Sequence, residues 1–313
     1  MRYRQPQAMR YSADVYGKHL FRLREVHVAQ HIGELLRRKA LSAAKLDLLL
    51  RAVALLPDDA GERSPGLVLP RYSYASLYDL VADPDRWGDG AGEVDYPQKV
   101  YQHKRKWVGE RLELLEQMHL LQRGEPRHGR PVIHLLRDDG SGRSFDDPNG
   151  NGANSYLTVN GEIFAKGMIR DWSAGELAFY LCAMIGERYA VNRYIKLTHA
   201  DKSPWPPGAG TWYAPLGWFA DAEQRRPPSH VRVPFSQSTL ERGLRDLRKK
   251  GLVQVDRIMR DPVTHRRLSH PRNLYTNRFV EVGREDEKPD LQEVLRWLAT
   301  VPASSLALDA DAF

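Results

Sequence analysis

Between Pro234 and Arg278 the chain gathers cations at spacings that suit contact with a polyanion. Residues 231–280 hold 12 Lys and Arg against 4 Asp and Glu, a surplus of eight in a chain whose formal net charge is +7. At about 100° per residue, Ser238, Arg242, Arg245 and Lys249 share one face of a helix, while Leu240, Leu244 and Leu247 share the other. The apolar stripe docks the helix, and the basic face is left for an anion. A solvated surface would also explain such a face. It would not require the cations that follow: Arg260, His265, Arg266, Arg267, His270 and Arg272. A second, smaller set lies upstream, with Lys99, His103 and Lys106 on the polar side of a helix and Arg127 and Arg130 in the turn GEPRHGR.

Other chemistry-bearing patterns lead less far. His27 and His31 stand four apart on a helix, a spacing able to hold a metal, but no Glu intervenes and no carboxylate or Cys partner is evident. The glycines of GDGAG at 88–92 are not followed by Lys-Ser or Lys-Thr, so they do not form a phosphate loop. HRRLSHPRNLY at 265–275 has the residue types of a tyrosine recombinase crowded onto one hairpin, where they suit phosphate contact better than strand cleavage. The single cysteine, Cys182, sits in the apolar run LAFYLCAMI as a small core residue and rules out an internal disulfide. The expectation is a protein with no enzymatic activity, no cofactor and no metal.

The basic residues need elements to hold them. Ser236 is placed to cap a helix over 236–250 and Gly251 to end it. Residues 252–258 then read as a strand and 273–280 as its antiparallel return, with the basic loop between. A similar order appears about 140 residues earlier: a long helix beginning near Lys99, with Tyr101, Val108, Leu112 and Leu115 on its core face, a strand at 120–123, the basic turn, and a return strand at 131–136. The two copies share order and not sequence. Helices are expected over 16–39, from Leu41 to about Pro57, from Ser73, from Ser173 (which forms a Ser-x-x-Glu capping box with Glu176), over 214–222 and over 289–300. Residues 137–155, rich in Gly, Asp, Asn and Ser, read as a linker. Trp205, Trp212 and Trp218, set among prolines and glycines, are read as closing a small core rather than stacking on bases.

Helix, strand, basic hairpin and strand is the order found in winged-helix DNA-binding domains, and both stretches resemble that superfamily. The resemblance covers 40–137 and 156–280, and YLTVNGEIFAKG is similar to the start of winged-helix domains in replication initiators. It implies a mainly α chain with small β-hairpins (α+β): an N-terminal helical extension at 1–39, a winged-helix domain at 40–137, a flexible linker at 138–155, a second winged-helix domain at 156–282, and a C-terminal helix with acidic tail at 283–313. The loop over 198–233 is longer than the plain fold needs and leaves the middle helix of the second domain unplaced. On this resemblance Ser238, Arg242 and Arg245 would contact bases, and Lys249, Arg260, Arg266, Arg267 and Arg272 would hold phosphates. Lys99, His103 and Lys106, with Arg127 and Arg130 on the wing, would read or anchor in the first domain.

The implied partner is double-stranded DNA, and the implied role that of a bacterial transcription regulator or a plasmid or phage replication initiator. The rival is an interaction subunit of a larger DNA-organising complex, with DNA binding secondary. The terminal helices could pack within the chain or pair with a second copy, and the C-terminal helix offers a face to a protein partner. A mean hydropathy of −0.56 and the lack of an apolar run near 18 residues argue against a membrane span. The absence of an uninterrupted apolar core near Met1 sets the expectation of no signal peptide, and the cysteine usage that of a reducing cytoplasm.

Overall fold

The computed structural model describes residues 20–54, 67–68, 74–82, 97–127, 130–146, 156–160, 162–165, 167–198, 211–212, 235–260 and 267–278. Helices and small antiparallel sheets alternate in it, the mixed α+β class that the sequence implies.

The first half opens with β1 (Leu20–Arg24), followed directly by a helical run α1 (25–37) whose middle, Val28–Ile32, is π-wound. Next come α2 (Leu41–Ala54), β2 (Leu67–Val68), α3 (Tyr74–Val81), α4 (Pro97–Gln117) and the hairpin β3 (Leu121–Arg127) and β4 (Arg130–Leu135). The second half repeats the scheme. A strand β5 (Tyr156–Asn160) leads into the short helix α5 (Glu162–Ala165), a 3-10 turn at Met168–Asp171 and the long helix α6 (Ala174–Thr198). After it come β6 (Thr211–Trp212), α7 (Gln237–Lys249) and the hairpin β7 (Val253–Arg260) and β8 (Arg267–Asn277).

Each half closes a three-stranded sheet in the same order, β2-β4-β3 in one and β6-β8-β7 in the other. The leading strands β1 and β5 pair with each other, antiparallel, from Leu20 opposite Asn160 to Arg24 opposite Tyr156. Antiparallel pairing of these corresponding strands gives the ribbon itself a local twofold. Phe21, Leu23, Leu157 and Val159 alternate onto the buried face of this ribbon, where Phe21 meets Phe164 with ring centroids 6.5 Å apart. Buried residues from both halves thereby form one continuous core.

The ends of the helices follow from their residues. At Ser173 the capping box forms, Ser173 N donating to Glu176 Oε2 at 2.7 Å and Glu176 N to Ser173 Oγ at 3.3 Å. Ser236 Oγ accepts from Thr239 N at 3.2 Å to open α7, and Gly251 at φ +72° closes it while Leu252 N reaches back to Leu247 O. The same closure at the end of α4 uses His119 at φ +56°, with Leu120 N donating to Leu115 O.

Three expectations need correction. Residues 20–24 are a strand and not the first turns of a helix, because LFRLR buries alternate residues against β5. Residues 20–37 are therefore built into the core. Residues 137–146 are not the linker that composition suggests, because Asp138 is fully buried and the segment is tied down, while 147–155 lie outside the described residues. Arg24 N donates to Asp138 Oδ2 at 2.8 Å, the Arg24 guanidinium ion-pairs with Asp138 and with Asp146, and Leu136 bridges to Ser144. Finally, the second hairpin's return strand starts at Arg267 rather than Asn273, so Arg260, Arg267, His270 and Arg272 lie on strands and not in a loop. The expected helices at 214–222 and 289–300, the acidic tail, and Trp205 and Trp218 lie outside the described residues. Among the described residues no helix is long and apolar enough to cross a membrane.

Candidate nucleic-acid interface

Helix α7 is held by its back. Leu240 and Leu247 are fully buried, and between them Gly243 lies against the backbone of α6. A Cβ on Gly243 would stand 1.9 Å from Gly175 O, so only glycine allows the two helices this approach. Lys250, just past the helix, ties this end to the start of α6, its Nζ 3.1 Å from Asp171 Oδ2 and 2.8 Å from Glu176 Oε1. Partial burial pulls the Lys250 pKa down, but Glu176 and Asp171 outweigh it and leave the pKa above its ordinary value.

With its back fixed, α7 turns Ser238, Arg242, Arg245 and Lys249 outward, all exposed. Arg245 and Lys249 each lie 3.6 Å from Asp246, a loose surface pairing. Arg242, Arg248, Arg257 and Arg267 have no acidic partner among the described residues. On the hairpin, Arg260 stands opposite Arg267 and both are exposed, while Arg272, opposite Ile258, is half-buried. Arg266 lies outside the described residues. Met259, beside Arg260, is the exposed large hydrophobic side chain of the described residues, at 44 %.

The first half offers a weaker version. Val108, Leu112 and Leu115 are buried, while Lys99, His103 and Lys106 are exposed on the far side of α4, and Arg127 pairs with Arg130 in the strand register of the hairpin. Several neighbouring cations are already matched: Lys104 with Asp79 at 2.7 Å, Arg111 with Glu110 at 2.6 Å and Arg123 with Glu116 at 2.7 Å. Arg111 also lies over the Trp107 ring at 4.2 Å and Arg105 over Tyr74 at 5.9 Å.

Thus the twelve described candidates lie on the same two kinds of element in each half, a helix and the hairpin that follows it. Two residues on the α7 patch escape a search for cations. Gln237 Nε2 donates to exposed Glu241 Oε1 at 2.7 Å, one turn apart on the side where Arg245 and Arg248 project. The spacing i, i+4 of Gln and Glu in the first turns of a basic helix is the signal that could have found them.

The buried polar residues belong to the scaffold. His27 Nε2 lies 2.5 Å from Asp47 Oδ2, its Nδ1 lies 3.1 Å from Asp138 O, and Arg51 also pairs with Asp47. Burial alone would raise the Asp47 carboxyl, but Arg51 and His27 overcome this and hold it below the usual carboxylate range. His31, 5.4 Å from His27 between ring centroids, is pushed down to about 4, first by burial and then by the His27 charge. Among the described residues no group of three or more His, Cys, Asp and Glu could hold a metal ion. Buried Cys182, its thiol pKa raised by desolvation, packs in the core.

Compared with known proteins, the chain matches no family model, no curated protein and no solved structure.

Proposed function

We propose that this chain is a sequence-specific double-stranded-DNA-binding protein built of two winged-helix units, acting as a transcription regulator or a replication initiator. The observation that carries the reading is the repeated scheme. In both halves a helix buries one face and turns a basic face outward, and it leads into a hairpin that adds further cations beside it. In winged-helix recognition such a helix enters the major groove, about 12 Å wide, and the wing lies along the phosphates. Arg242 and Arg245, with Ser238, face the bases on this reading. Lys249, Arg260, Arg267 and Arg272 hold phosphates, and Lys99, His103, Lys106, Arg127 and Arg130 contact the neighbouring stretch of duplex. A helix and hairpin of this kind in each half would let one chain meet two stretches of duplex.

Fluorescence anisotropy on duplex from upstream of the gene and on a scrambled duplex, across a salt series, tests this. Specific reading gives a preference of about 10³ or more for the native duplex. Equal, weak binding that falls with salt at about −0.9 per phosphate neutralised would reduce the contact to electrostatics and turn attention to a protein partner.

A further inference from the structure

Besides Asp246, which lies between Arg245 and Lys249, α7 carries a second side chain of the wrong sign for contact with phosphates. Glu241 is exposed, about 40° around the helix from Arg245 and about 20° from Arg248 at 100° per residue. A carboxylate there repels a polyanion, so its presence calls for a compensating role. Its hydrogen bond supplies one. At 2.7 Å the Gln237–Glu241 contact lies at the short end of the N–H···O range, where charge-assisted bonds fall.

A carboxylate only accepts, so it selects one of the two orientations of the Gln237 amide: Nε2 toward Glu241, Oε1 away. One N–H of Gln237 is thereby used, leaving one donor and one acceptor side by side. Gln237 is the first residue of α7 and is exposed, and the N-terminal residues of a groove-entering helix are those that reach base edges. In the major groove only adenine shows a matching donor and acceptor, N6–H₂ and N7. Guanine shows two acceptors, cytosine a donor, and thymine an acceptor beside a methyl group.

Resting on the DNA-binding reading above, the geometry points to Gln237 as an adenine-reading residue, held in its reading orientation by Glu241 as a positioning residue. The specificity of the second half is then divided. Arginines supply attraction and guanine contacts, and the Gln-Glu pair fixes an A·T position.

The test is selection of binding sites by the full chain from randomised duplexes, followed by anisotropy on the selected site and on a scrambled one. The wild type is expected to select adenine at one position of the site, and Gln237→Ala to lose that preference there alone, by roughly 5- to 150-fold. Glu241→Gln is expected to move two readouts in opposite directions. Affinity for scrambled duplex rises because a negative charge is gone, while the adenine preference falls because a neutral amide fixes Gln237 in neither orientation. A Glu241→Gln variant that binds scrambled DNA more tightly with an unchanged base profile overturns the positioning role. An unchanged profile for Gln237→Ala, in a wild type that does select a sequence, overturns the adenine assignment and leaves DNA binding standing. A wild type that selects no sequence overturns both readings.

Discussion

The two basic-faced helices are mounted in different ways. In the second half α7 has 13 residues and touches α6 backbone to backbone through Gly243 and Gly175. In the first half α4 has 21 residues and is spaced from its neighbours by Val108, Leu112 and Leu115, and its own Gly109 faces open space. The charges differ likewise. Around α4, Lys104, Arg111 and Arg123 are matched by Asp79, Glu110 and Glu116, whereas on α7 and its hairpin Arg242, Arg248, Arg257 and Arg267 lack an acidic partner among the described residues. Rigid mounting and uncompensated charge suit a surface that must meet its target in one pose. Spaced mounting and matched charge suit a surface that steadies it. On the proposed reading the second half reads sequence and the first half anchors.

The largest effect should come from testing the mounting itself. Gly243→Ala drives a methyl group into the Gly175 carbonyl, where backbone cannot yield, and should destabilise the fold by about 3 kcal/mol or more, against about 1–3 for ordinary overpacking. Gly109→Ala in the other helix should stabilise by about 0.5–1 kcal/mol. Urea denaturation of both variants reads this reversal of sign, and equal effects would erase the distinction. Next, Arg242→Ala should weaken binding to a selected duplex by about 1–3 kcal/mol and scrambled duplex much less. Lys106→Ala should weaken both alike and lower the salt slope by about 1. Anisotropy showing the reverse would exchange the roles of the halves.

A third test uses pH. His31, in the first half, has a folded pKa near 4 against an ordinary value near 6.5, so the unfolded chain binds its proton first as pH falls. Its contribution is full above about 6.5 and is lost between 6.5 and 4. Allowing for the ring's partial exposure, about 1–2 kcal/mol of stability should disappear over that window, and His31→Gln should flatten the corresponding slope in urea midpoints. The smallest effect concerns the helix ends. His119 holds the left-handed conformation that Gly251 holds in the other half, so His119→Gly should raise stability by up to about 1 kcal/mol. Calorimetry showing a lower Tm for that variant would mean that the His119 side chain contributes contacts outweighing its backbone strain.

Much of the scaffold is legible from local residues. The leucines of α7, the core face of α4, the capping box at Ser173 and the cap at Ser236 are all set within a few positions of sequence, and each appears where spacing places it. What is not legible depends on distant partners. LFRLR fits a helix as well as a strand until β5, some 130 residues away, supplies its pairing. Asp138 looks like linker until Arg24 reaches it across 114 positions. The second hairpin's strands are long although their residues are mostly polar, because most of their side chains are exposed or half-buried and call for no apolar alternation. At the candidate site, charge reveals the arginines, but the Gln237–Glu241 pair adds no cation, and a search for basic residues passes over its i, i+4 spacing until the hydrogen bond is seen.

The pairing of β1 with β5 also sets a clock. Chains are made at about 5–20 residues per second, so from the moment Arg24 is added, roughly 7 to 27 s pass before Asn160 exists to pair with Leu20. Throughout that interval the apolar ribbon face of Phe21 and Leu23 has no partner strand, and the Arg24 guanidinium lacks Asp138 for nearly as long. The nascent first half is therefore a species with an open strand edge, the kind of surface that chaperones cover and that seeds association when they do not.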